Sequence, residues 1–183
     1  ALHRAIDTVQ TAVDATATNG DGAGMAAVVD LLRGADRCAA AAVGASMTMT
    51  HRGVVAAEGL TSDTYLRMSG RTARETSGHG YLVERLADMP VLYGWYRDGD
   101  ISTGVVRELS WLMRNLTRAQ RVWVDARLGE HAEVVHRVDA DDLLDAVEQL
   151  VDRARPDLRD ARERRAQQCG RRVVIQPRLD GGG

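Results

Sequence analysis

From Met25 to Ala57 the chain runs without a proline and repeats apolar residues at helical spacing. Val28, Val29, Leu31, Leu32, Cys38, Ala42, Val43 and Met47 mark the pattern, which predicts one long α-helix. Gly34, Gly44 and Gly53 each weaken such a helix by roughly 1 kcal/mol relative to Ala, and Gly53 is expected to kink or split it. The Ala39–Ala42 run reads as a tight helix–helix contact.

The rest of the composition points the same way. Hydrophobic residues are 44% of the 183, but aromatics are only 4% and phenylalanine is absent. The core must come from Ala, Val, Leu and Met, which apart from Val favour helix and let helices approach closely. All 24 basic residues are Arg, so every cation here keeps its charge and can bond bidentately. The net charge of -2 excludes a wholesale electrostatic binder of nucleic acid, and only local patches could serve. No apolar run approaches the length of a membrane span, and the start at Ala1-Leu2-His3-Arg4 has no signal-peptide pattern. Cys38 and Cys169 lack partners at metal spacing and read as reduced thiols of a cytoplasmic protein.

The remaining periodicities extend a multi-helix bundle. Leu2, Ile6, Val9 and Val13 form one face of a short first helix, ended by Asn19-Gly20-Asp21-Gly22. Gly59 closes the long helix and Thr61-Ser62 caps a short one carrying Tyr65, Leu66 and Met68. Ser69-Gly70 turns into a helix from about Thr72 to Ala87, with Tyr81, Leu82, Val83 and Leu86 inward. Pro90 begins another, and Asp98-Gly99-Asp100 is a turn. Ser102 supplies a simple cap, Thr117 starts a further helix, and Asp139-Ala140-Asp141-Asp142 gives an acidic helix start. Pro156 opens an Arg-rich helix, and Arg171–Pro177 is the one convincing strand. Three regions result: a helical arm at 1–58, a helix-turn-helix-like core at 59–137, and C-terminal helices with the start of a strand region at 138–183.

Few constellations suggest chemistry. His3, His51, His79, His131 and His136 form no HExxH motif, and no Cys pair joins them at zinc spacing. The acidic cluster from Asp139 to Asp145 reads as a charged helix N-terminus rather than a cation site. Gly20-Asp21-Gly22-Ala23-Gly24 is followed by Met, not by the Lys of a phosphate loop, and no GxSxG elbow occurs. No catalytic, metal or cofactor site is therefore expected within the chain. What remains is a helix, a glycine turn and a second helix, the geometry that offers a helix to the major groove. Its exposed early positions are Arg71, Thr72, Arg74 and Glu75, with Arg67 and Arg85 placed for phosphates. A solvated Arg face on an ordinary bundle explains the same residues equally well. A second basic run, Arg153 to Arg172, mixes signs at helical spacing and reads first as a solvated helix.

Within the predicted second helix lies Ser77-Gly78-His79-Gly80. Two glycines cost roughly 2 kcal/mol in a regular helix. Either the helix ends or bends at Gly78, or close packing against the long Ala-rich helix requires glycine. The packing reading is preferred, with His79 a packing or surface residue rather than a ligand.

The stretch from Gly59 to Thr117 resembles the actinobacterial 13E12 repeat family, whose N-terminal region is known as domain of unknown function 222. The matching marks are Leu86-Ala87-Asp88-Met89-Pro90 after an Arg-bearing helix and Gly99-Asp100-Ile101-Ser102 opening the next. The Arg-rich segment leading to a strand and Asp180-Gly181 also fits, so the similarity runs from about Met25 onward. Ser77-Gly78-His79-Gly80 departs from the family pattern, which continues Arg and hydrophobic residues there. The resemblance implies a DNA-directed helical domain that commonly precedes an HNH endonuclease module, and it carries over no catalytic residue. The expectation is thus a DNA-binding domain acting through Arg67, Arg71, Thr72, Arg74, Glu75 and Arg85. The alternative is a helical interaction module that pairs with a second copy through the long helix, without DNA contact.

Overall fold

The long helix organises the molecule. In the computed structural model, which describes residues 7, 10, 11, 14, 21–57, 59, 61–133 and 138–155, helix α1 spans Asp21–His51. Its 31 residues give a rod of about 46 Å at 1.5 Å per residue. It begins earlier than the apolar pattern suggests and stops before Ala57. Arg52 and Gly53 close it through bonds from their N–H groups to the Thr48 and Thr50 carbonyls. Gly53 adopts φ +66, a left-handed conformation that splits off the short helix α2, Val54–Ala57.

The other elements follow the capping chemistry of the sequence. They are α3 (Ser62–Met68), α4 (Ala73–Leu86), α5 (Pro90–Asp98), α6 (Thr103–Leu112), a 3₁₀ turn (Met113–Asn115), α7 (Arg118–Glu130) and α8 (Ala140–Ala154). Thr61, Ser102 and Asp139 accept bonds from backbone N–H groups three residues on, each a simple N-cap. Thr72 with Glu75, and Thr117 with Gln120, form full capping boxes. Pro90 occupies the first turn of α5, and Gly99 ends that helix at φ +83. Among the described residues the bundle is entirely helical. The expected strand at Arg171–Pro177 and the Arg-rich helix after Pro156 lie outside the described residues, as do most of residues 1–20.

One core joins these helices. Ala40 and Val43 of α1 are buried with Leu82 and Leu86 of α4, Leu92 and Tyr96 of α5, Val106 and Leu109 of α6, Val124 of α7 and Val147 of α8. Helix α1 packs on α4, α5 and α6, while α8 closes the far side against α6 and α7. The 1–58 region therefore shares its core with the segment that follows it. Of the Ala39–Ala42 run, Ala40 is buried in that contact and Ala39 half-buried against it, while Ala41 and Ala42 are exposed. At Gly44 of α1 a Cβ would overlap the Tyr93 hydroxyl of α5.

The glycines of α4 are a different case. The helix continues unbroken through Ser77-Gly78-His79-Gly80 and does not end there. A Cβ at Gly78 or Gly80 would meet nothing within 4 Å. Packing against the long helix therefore does not demand glycine at either position, and that expectation is corrected. The residue in this stretch that does touch α1 is His79.

Three polar contacts fix the helices against each other. Asp125 of α7 accepts bonds from the Val91 and Leu92 N–H groups at 3.0 and 2.9 Å. It thereby caps α5, whose own N-cap residue Met89 makes no side-chain bond. Asp36 of α1 accepts from both the N–H and the hydroxyl of Thr103, at 2.8 and 2.5 Å, at the start of α6. Asp88 accepts from Arg121 at 2.9 Å and from Arg118 at 2.8 Å, tying the α4–α5 connection to α7. Arg121 is itself buried and also donates to the Leu116 carbonyl at 2.9 Å.

Candidate nucleic-acid interface

Helices α3 and α4 form a helix-turn-helix-like pair. Ser69 and Gly70 close α3 through bonds to the Leu66 and Arg67 carbonyls, and Gly70 takes φ +85. That left-handed residue reverses the chain within a short turn, a step few side chains tolerate. Thr72 then caps α4. Its hydroxyl accepts from the Glu75 N–H at 3.3 Å, while the Glu75 carboxylate accepts from the Thr72 N–H and hydroxyl at 2.8 Å each.

The pair is held on the bundle from the inner side of α4. His79 Nε2 and Ser46 Oγ lie 2.8 Å apart, joining α4 to α1. Tyr81 donates its hydroxyl proton to the Ser110 carbonyl at 2.8 Å, joining α4 to α6. Leu82 and Leu86 are buried, and so is Thr76, whose short polar side chain bonds back to the Ala73 carbonyl at 3.1 Å. Burial, then the nearby Arg71 and Arg107 guanidinium groups, push the His79 pKa below the ordinary imidazole value. The neutral ring suits a packed position between two cations.

The sequence-predicted contact residues take distinct places. Arg67 lies exposed in the last turn of α3, and Arg71 and Arg74 lie exposed at the turn and the first turn of α4. These guanidinium groups are open to an anionic partner. Arg71 does pair with Glu75, but at 3.8 Å and on the surface, a contact of little energy. Thr72 and Glu75 are engaged in the capping box. The backbone and side-chain bonds from Thr72, with Arg71 adding to them, hold the Glu75 carboxyl below its usual range. Their groups serve the helix start first. Arg85 stands apart at the other end of α4, half-buried, with its guanidinium 5.2 Å from the Tyr81 ring centroid. Its Nε is buried without a hydrogen-bond partner.

Past its first turn, the solvent side of α4 carries Ser77, Gly80 and Glu84. Basic charge is thus concentrated where α4 begins. Arg107 of α6 is exposed and lines a pocket together with Arg71 and His79. It extends the basic lip, and the sequence could not single it out because only the α4–α6 packing brings it there. Among the described residues, no group of three His, Cys, Asp or Glu side chains is placed to hold a metal ion. No described helix is long and apolar enough to cross a membrane.

No protein-family model matches the chain, and neither the curated proteins nor the solved structures contain a significant match.

Proposed function

We propose that the chain is a DNA-targeting helical domain of an HNH-endonuclease-like protein, with the catalytic module elsewhere in the parent protein. The observation that carries the reading is the exposed set Arg67, Arg71 and Arg74 around a glycine turn, on a helix pair braced from behind. The resemblance to the 13E12 repeat family supports it. Arg67 and Arg74 would meet phosphates, and Arg71 a phosphate or a guanine edge at the mouth of the major groove. The N–H groups at the start of α4 add positive potential on the same side. Thr72 and Glu75 would position this edge rather than read bases, since each already serves the cap. Arg85 would hold a phosphate at the far end of the helix.

The test is a mobility-shift titration with duplex and single-stranded DNA at two salt concentrations. Binding should fall steeply with salt, with a slope set by the number of phosphates neutralised. Arg71→Ala/Arg74→Ala should weaken it at least tenfold and flatten that slope. Unchanged affinity in the double variant, or affinity indifferent to salt, refutes the reading.

A second reading is favoured by one specific observation. Met25, Val28, Val29 and Leu32, on one side of the first part of α1, are all exposed. They could pair two copies of the chain. The stripe covers only about two helical turns, and a stable interface needs about 800 Å² per partner. Self-pairing through this face alone therefore ranks second. A solution mass that stays monomeric at high concentration removes it.

A further inference from the structure

A cavity of about 220 Å³ lies beside the start of α4, lined from α1, α4, α5 and α6. Val43, Leu82 and Tyr96 in its lining are all buried, so the cavity reaches the core. Its charged lining is Arg71, Glu75 and Arg107, with His79 beside them. Both guanidinium groups act on the His79 ring, since after burial they are the charges that lower its pKa. One cation thus comes from the turn before α4 and another from α6. An anion held between them at the edge of the core is less screened than one at open surface. Glu75 divides its two carboxylate oxygens. Oε2 accepts from the Thr72 N–H and hydroxyl at 2.8 Å each. Oε1 lies 3.8 Å from Arg71 Nη1, too far for a hydrogen bond. The Thr72 bonds, with Arg71 adding to them, hold this carboxyl below its usual range. It is therefore ionised near neutrality and can only accept.

We propose that this cavity binds a phosphate that retains a proton, as hydrogen phosphate or as the terminal group of a phosphomonoester. Arg71 and Arg107 present paired N–H donors to the phosphate oxygens. The remaining P–OH group donates to Glu75 Oε1. Sulfate has no proton to give near neutrality, and its oxygens would meet an ionised carboxylate, so the same cavity disfavours it. Two arginines without the carboxylate would not separate the two anions. Size agrees with a group rather than a large ligand: at about 220 Å³ the cavity is smaller than the roughly 300–1,000 Å³ that encloses a drug-sized molecule. Arg71 also belongs to the proposed DNA edge, but the phosphate site does not rest on DNA contact.

The full chain is titrated at about pH 6 and constant ionic strength with sodium phosphate, sodium sulfate and ribose 5-phosphate. The backbone amide signals of Arg71, Glu75 and Arg107 are followed by NMR. At that pH inorganic phosphate keeps at least one proton, and a monoester, with its second pKa at about 6, keeps one on about half of its molecules. Phosphate should give saturable shifts, and sulfate should bind at least about tenfold more weakly. Ribose 5-phosphate binding more tightly than phosphate assigns the site to a monoester, and binding more weakly assigns it to the free ion. Arg107→Gln should weaken phosphate binding at least about tenfold, with circular dichroism at 222 nm showing that the fold is kept. Glu75→Gln preserves the capping-box pattern and offers sulfate an amide donor, so it should let sulfate bind as tightly as phosphate. Equal binding of the two anions by the unaltered chain, no saturable shift with phosphate, unchanged affinity in Arg107→Gln, or undiminished discrimination in Glu75→Gln overturns the proposal. No titration contains DNA, so the phosphate site and the DNA reading fail or stand separately.

Discussion

Replacing Gly78 and Gly80 by alanine tests what the middle of α4 is. Both lie in the interior of a continuous helix, and neither has positive φ. A Cβ at either would enter open space. Alanine should therefore recover the helix propensity that glycine forfeits, about 0.8–1 kcal/mol at each site, partly by narrowing the unfolded ensemble. The sites share no packing partner, so the gains should nearly add, to about 2 kcal/mol. For a chain of this size each kcal/mol moves Tm by about 2–4 °C, so the double variant should melt about 4–8 °C higher. Thermal melts followed by circular dichroism at 222 nm, with urea midpoints as a second measure, decide it. A fall in stability for Gly80→Ala would refute the reasoning. It would mean that a side chain there meets something, and that glycine is a packing requirement after all.

The remaining expectations concern the contacts that fix the helices. Gly44→Ala should destabilise, because its Cβ overlaps the Tyr93 hydroxyl, and the sign should invert to a gain of about 1 kcal/mol in a Tyr93→Ala background, read by urea denaturation. Asp125→Ala should cost about 2–4 kcal/mol by the same assay, since two N–H groups at the start of α5 lose their acceptor at once; Asp125→Asn, keeping one acceptor oxygen, should cost less. The acid limb of stability should carry two opposed contributions. The Arg121 and Arg118 contacts hold Asp88 below its ordinary value of 3.8, so its contribution is present above about pH 4 and lost as pH falls through the lowered value. Burial, against weaker pulls from the Leu92 and Val91 N–H groups, raises Asp125, so its ionisation opposes folding as pH rises from 3.8 through the raised value. Asp88→Asn should thus shallow the acid-induced loss and Asp125→Asn should steepen it, as measured by urea midpoints from pH 3 to 6. For His79, burial and the two arginines favour the neutral ring, so stability should fall as pH drops below 6.5, and His79→Gln should remove that step.

Much of the bundle is legible from local chemistry because its helix starts are local devices. Thr61, Thr72, Ser102, Thr117 and Asp139 each satisfy backbone donors within their own turn, so a side chain three residues away completes the argument. The start of α5 shows the limit. Its cap comes from Asp125, more than thirty residues downstream, and no spacing rule connects the two. The same limit governs the candidate site. Arg67, Arg71 and Arg74 flank a turn and can be read from it, whereas Arg107 joins them only through the packing of α6 on α4. Glycine is the hardest residue to read, because the sequence records a missing side chain without recording what is near it. Gly44 sits against the Tyr93 hydroxyl and Gly78 against open space, although both occupy helix interiors in similar company. The distinction follows from Tyr93, which reaches α1 to donate toward the Ala40 carbonyl at 3.5 Å. A close helix contact is thus specified by the large residue on one helix and the glycine on its neighbour together. His79, between two glycines, makes the complementary case: the stretch touches α1 through its one large side chain, and the glycines beside it leave that contact unobstructed without being required by it.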